Sequence, residues 1–324
     1  MTILRWYRKL DPRLRGGDGA IVAGLALLAS ACVAPQPPPP PASVAVVEAA
    51  RALSSSPQQW TQACDDWDEW DKEGPAYRIH GDTYYVGTCG IAGILVASPQ
   101  GHVLFDSGTR MGAVRVLENI RLLGFRPENV STVFTSHEHF DHVGGMWWIH
   151  QNTGARVLTS PQAQRVVATG GDSPDDPQHG MHPPMQPMPA GTVGTVTPGA
   201  PVERNGMTFL PVATPGHTPG ALSWQWQSCE GGECVSIVYA DSLSPISADG
   251  YRFTDHPQYL ADFRTGLQRL AALDCDILLT PHPSASDMRE RLLTGTLRGG
   301  TSCAEYAARI STRLDERLAQ EVAQ

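Results

Sequence analysis

The run VSTVFTS at residues 130–136 alternates apolar with polar positions and is rich in β-branched side chains, the period-two pattern of a strand. ALSWQWQ (221–227) and VSIVYAD (235–241) read the same way, and CEGGEC between them carries two glycines suited to a tight loop. MTFLPVA (207–213) and DILLT (276–280) are apolar runs of strand length, the second with the look of a buried strand. After residue 142 the chain continues VGGMWWIHQNTG, where two glycines precede a bulky apolar stretch that opens a helix. The intervening HEHFDH, residues 137–142, therefore falls on a strand-to-helix turn, where side chains can converge on one point.

The N-terminal pattern is different in kind. Arg5, Arg8, Lys9, Arg13 and Arg15 give a basic start, followed by the apolar run AIVAGLALLASA, too short to span a membrane stably but right for the core of an export signal. Residues 1–31 are expected to be that signal, with cleavage after ASA at 29–31. Cys32 would then be the first mature residue, and both lipidation there and ordinary cleavage are open; any membrane attachment is through that lipid. VAPQPPPPPASVA favours extended polyproline conformation and cannot build a core, so residues 32–52 are expected to be a spacer. The folded domain is expected over 53–324, in the periplasm.

Composition adds little to this outline. Of 324 residues 41% are hydrophobic and 18% charged, an ordinary globular balance, and the net charge of −9 with no basic run excludes a nucleic-acid binder. Cysteine usage says more, since seven cysteines in an exported chain read as disulfides with one left over. With Cys32 as the odd one, six remain and allow fifteen pairings. Neighbour pairing is the simplest: Cys64–Cys89, Cys229–Cys234 and Cys275–Cys303. No CxxC is present to suggest a thiolate metal site.

His137, His139, Asp141 and His142 would be costly, mutually repelling groups to bury together unless a cation held them. Imidazole and carboxylate are the donors zinc takes when thiolate is absent. ATPGHTPG places His217 in a glycine- and proline-rich turn after MTFLPVA, and TPHP places His282 just past DILLT. All three segments follow strand ends, which gather on one rim of an α/β sheet. Five histidines and one aspartate suffice for two zinc ions with open positions. His80, His102, His150, His179, His182 and His256 read as ordinary histidines, and Trp147 and Trp148 as core or pocket floor.

HxHxDH, then GHTPG, then a late histidine after a strand resembles the metallo-β-lactamase superfamily, from YYVGTCGIAGILVASPQGHVLFDSGT to LTPHPSASDMRERL. GTCGIAGIL, ADSLSPISADGYRF and TPHP narrow the resemblance to the B-three subclass of class B β-lactamases, some of which share the three cysteine pairs. The resemblance implies an α/β fold, a four-layer αββα sandwich with a di-zinc site at one rim of the sheets. It assigns His137, His139 and His217 to the first zinc, and Asp141, His142 and His282 to the second. It implies a monomer that hydrolyses the β-lactam amide bond of penicillins, cephalosporins and carbapenems, with Asp141 accepting or orienting the proton of the attacking water. Ser242 and Ser244 would bind the substrate carboxylate, and Gln178 would lie over the water. Asp241 and Asp106 would orient ligands, although Asp241 bridges both metals in glyoxalase-like relatives. Two other readings stay open: a thioesterase or lactonase of the same fold, and an exported zinc-binding protein without turnover.

Overall fold

Strands buried on both faces organise this chain. The computed structural model describes Val46, Ala49, Ala50 and residues 53–323, so the expected signal, Cys32 and nearly all of the spacer lie outside the described residues. One sheet runs in spatial order β1 (Tyr77–His80), β2 (Thr83–Tyr85), β3 (Ile94–Val96), β4 (His102–Phe105), β5 (Val130–Phe134), β6 (Arg156–Thr159) and β7 (Val193–Thr195). The other has the order β12 (Ile277–Leu279), β11 (Glu233–Tyr239), β10 (Leu222–Glu230), β9 (Met207–Ala213) and β8 (Val202–Arg204). Both are mixed: β4 to β7 are parallel and β1 to β4 antiparallel, while β12 joins β11 in parallel.

The period of two decides the layering. Along β4, Val103 and Phe105 enter a core shared with Trp224, Trp226 and Tyr239 of the second sheet, whereas Leu104 enters a second core with Ala113, Val116 and Ile120. Along β11, Ile237 and Tyr239 face that shared core, and Val238 packs with Phe263, Leu267 and Tyr306. Helices Arg110–Leu122 and Met146–Thr153 thus cover one sheet, and Pro257–Ala271 and Cys303–Val322 cover the other, giving four layers. Stacked rings fill the centre, with Phe134 4.1 Å from Trp224 and Phe105 4.9 Å from Trp226 between centroids.

Local chemistry sets the boundaries that matter for the site. Thr109 caps the helix Arg110–Leu122 by accepting from the amides of Met111 and Gly112. Ser302 and Glu305 form a capping box on Cys303–Val322. In CEGGEC, Glu230 pairs with Glu233 across Gly231 and Gly232, whose φ angles of 59° and 85° are those of a two-residue hairpin turn. Cys229 and Cys234 are register partners there and are joined by a disulfide; Cys64–Cys89 and Cys275–Cys303 are the other two. Among the described residues no helix is long and apolar enough to cross a membrane.

Candidate metal centre

Five strand ends deliver polar residues to one rim. β4 runs out into Asp106, β5 into Ser136 and His137, β9 into His217, β11 into Asp241 and β12 into His282. Beyond His137 the backbone coils at once: His139 is the N-cap residue of the short helix Phe140–Val143, which carries Asp141 and His142 on its first turn. A strand end followed by a helical turn thus brings four side chains of one hexapeptide together.

Two ligand groups result. His137, His139 and His217 each offer a donor atom within 4.8 Å of the others, and so do His137, Asp141 and His142. His282 joins the second group, its Nε2 3.3 Å from Asp141 Oδ2, which is also 3.1 Å from His142 Nε2. A third group, Cys64, Asp68 and Cys89, is no site, because its sulfurs are bonded to each other. His137 Nε2, Asp141 Oδ1 and both ring nitrogens of His142 are buried without a hydrogen-bond partner. An unsatisfied buried polar atom costs about 1–3 kcal/mol, and a cation bound here removes that cost for His137 Nε2, Asp141 Oδ1 and the His142 nitrogen on the Asp141 side. An all-nitrogen and carboxylate donor set suits zinc.

The charge states of three histidines and of Asp141 agree with ligand chemistry. Burial, then the repulsion of neighbouring histidines, holds His137 and His139 well below the usual histidine range, and His217 is pushed down to about 3. These three imidazoles are therefore neutral, with a lone pair to give. Burial opposes ionisation of Asp141, but His142 and His282 outweigh it and hold the carboxyl well below its ordinary value. His142 is raised in return: burial acts downward, and Asp141 beside it acts upward and prevails.

Around the ligands lies a layer of partners. Asp241 is fully buried; its Oδ1 is 2.9 Å from His137 Nδ1 without a hydrogen bond to it, and its Oδ2 accepts from the Leu243 backbone amide at 3.0 Å. Burial pushes its pKa up to about 8, with the Leu243 and Ser242 amides acting the other way. Asp106 accepts from the Ser136 amide and hydroxyl, both at 2.7 Å, and from the Tyr239 hydroxyl at 2.8 Å, with His142 Nδ1 3.8 Å away. Ser242 Oγ is buried and has no partner, while Ser244 Oγ lies 3.0 Å from His217 Nδ1. Gln178 is buried in the irregular loop after Gly170, its Nε2 3.4 Å from both ring nitrogens of His217.

The sequence reading passed over several neighbours. Glu138, between two ligand histidines, turns away from them and accepts from Thr218 Oγ1 at 2.6 Å and the Gly220 amide at 2.9 Å, tying the HEHFDH turn to the GHTPG turn. Its position inside the hexapeptide was the available signal. Asp176 Oδ2 lies 2.9 Å from His139 Nε2, and the His182 ring sits 4.2 Å from that of His139. Neither stands in a periodic segment or a motif, so nothing in the sequence marked it.

A model described as the metallo-beta-lactamase superfamily matches residues 86–230. Among solved structures, the chain is similar to MIM-2 metallo-beta-lactamase, with 50% identity, 83% of this chain and 99% of that chain covered, and a TM-score of 0.77. It is also similar to MEM-A1, a subclass B3 metallo-beta-lactamase isolated from a soil metagenome library, with 38% identity, coverage of 79% and 99%, and a TM-score of 0.76. More distantly, it is 28% identical over 144 residues to the hydroxyacylglutathione hydrolase of Ectopseudomonas mendocina (strain ymp), covering 44% of this chain and 43% of that protein.

Proposed function

Since the chain belongs to the metallo-β-lactamase superfamily, we propose that it hydrolyses the amide bond of β-lactam antibiotics, with one zinc held by His137, His139 and His217 and a second by Asp141, His142 and His282. The observation that carries this over a thioesterase or lactonase is the orientation of Asp241. That rival needs Asp241 as a bridging ligand, but its oxygens are turned to His137 Nδ1 and the Leu243 amide, and it stands in neither ligand group. A carboxylate behind a histidine orients the ring and strengthens it as a ligand. The pure zinc-binding alternative is disfavoured because structural zinc sites are usually closed by four protein ligands, and here each set has three.

Zinc, when bound, supplies a water of lowered pKa and polarises a carbonyl as a Lewis acid. The protein's own part is positional. Asp141, its Oδ2 set between His142 and His282, accepts or orients the proton of the attacking water. Ser242, whose hydroxyl lacks a partner, and Ser244 donate to the substrate carboxylate. Gln178, beside His217, lies over the attacking water. A single chain supplies all six ligands, so one copy suffices. The basic and apolar N-terminus puts residues 1–31 in the role of an export signal, residues 32–52 in that of a spacer, and the enzyme in the periplasm.

The test is hydrolysis of a carbapenem by purified protein, followed by loss of lactam absorbance with and without a chelator. Turnover is expected to stop on chelation and return with zinc. Preference for thioesters or lactones, or turnover indifferent to chelation, overturns the reading.

A further inference from the structure

We infer that Asp176 is a positioning residue for the first zinc set: it fixes His139 in the one tautomer that can ligate, and with the same carboxylate holds Gln178 in place. The inference rests on the reading of His139 as a zinc ligand. Asp176 and His139 are each 4% exposed, and Asp176 Oδ2 lies 2.9 Å from His139 Nε2. A neutral imidazole has one N–H and one lone pair. A carboxylate only accepts, so the proton sits on Nε2, and the Nδ1 lone pair is left for the metal. The other oxygen, Oδ1, accepts from the Gln178 backbone N–H at 2.7 Å. This second bond folds the loop back on itself, where Gln178 Nε2 meets the ring of His217. The His182 ring, 4.2 Å from that of His139, packs against the remaining side.

Asp176→Asn separates the tautomer from the fold. The amide oxygen can still accept from Gln178, which turns the NH2 group toward His139 Nε2. A donor there favours the proton on Nδ1 and removes the ligand lone pair. Zinc-loaded full-length protein is titrated with a competing chelator, and the zinc retained is counted by atomic emission. Asp176→Asn is expected to lower the affinity of one zinc by about 10- to 100-fold. The neighbouring exposed carboxylate gives the control: Asp175→Asn removes the same charge and should change nothing. In a His139→Ala background, Asp176→Asn should have no further effect, because interacting residues are not additive.

Zinc binding within twofold of the unaltered protein overturns the inference. So does an equal loss in the His139→Ala background, which would mean that Asp176 acts on the loop and not through His139. No zinc binding by the unaltered protein overturns the zinc centre itself, a separate failure. Should the variants not fold, long-range 1H–15N correlation on the unaltered protein reads the His139 tautomer directly. A proton on Nε2 is expected; a proton on Nδ1 overturns the assignment.

Discussion

Glu138→Gln should reverse its effect on stability between acid and mildly alkaline pH. Glu138 is 3% exposed, and burial pushes its carboxyl from 4.5 up to about 7, against the opposite pull of the Thr218 hydroxyl. Between those values the folded metal-free protein keeps a proton that the unfolded chain has released. Stability therefore falls as pH rises from 4.5 to about 7 and is level above that. The gap between 4.5 and about 7, at roughly 1.4 kcal/mol per pH unit, amounts to about 3 kcal/mol. Glutamine does not titrate and escapes this loss. It has only one acceptor oxygen for the two donors, Thr218 Oγ1 and the Gly220 amide, which costs about 1–3 kcal/mol at every pH. The variant should thus be the less stable protein near pH 4.5, and should match or exceed the unaltered one by pH 8. Urea unfolding with chelator present, followed by tryptophan fluorescence at a series of pH values, measures the difference. Curves that stay parallel across the range would refute the reasoning. Zinc loading should flatten the slope in the unaltered protein, since a nearby cation favours the carboxylate.

Asp241→Ala should leave two zinc ions bound per chain, with affinity or rate lower by about 10- to 100-fold, as expected for a carboxylate that orients His137; metal analysis showing one zinc lost outright would favour the bridging role and the thioesterase reading. Asp106→Ala strands three donors, the Ser136 amide, the Ser136 hydroxyl and the Tyr239 hydroxyl, and should cost about 3 kcal/mol in urea unfolding of the metal-free protein. Asp106→Asn, which keeps an acceptor, should lose clearly less, and equal losses would show that the hydrogen bonds are not what matters.

The sequence by itself determined the elements and the chemistry that is local. Alternation of apolar and polar residues marked β5, β10 and β11, because a half-turn per residue is written in the order of the side chains. Two consecutive glycines marked the β10–β11 turn, because few other residues adopt positive φ at both of its positions. HEHFDH declared a metal centre because a hexapeptide cannot keep those groups apart in space. The grouping of His217 and His282 with the hexapeptide was legible only through the family resemblance; the sheet order came from the packing of two sheets, whose strand ends bring both histidines to the same rim. Tertiary structure also decided what the carboxylates do. Asp241 and Asp176 are both acids near histidines, and only the direction of their oxygens shows which ring nitrogen each meets. Glu138 meets Thr218 across 80 positions, and Asp176 meets His139 across 37, in loops with no period to read. A hydrogen bond is set by direction and by a few tenths of an ångström, and neither is encoded in residue type or spacing.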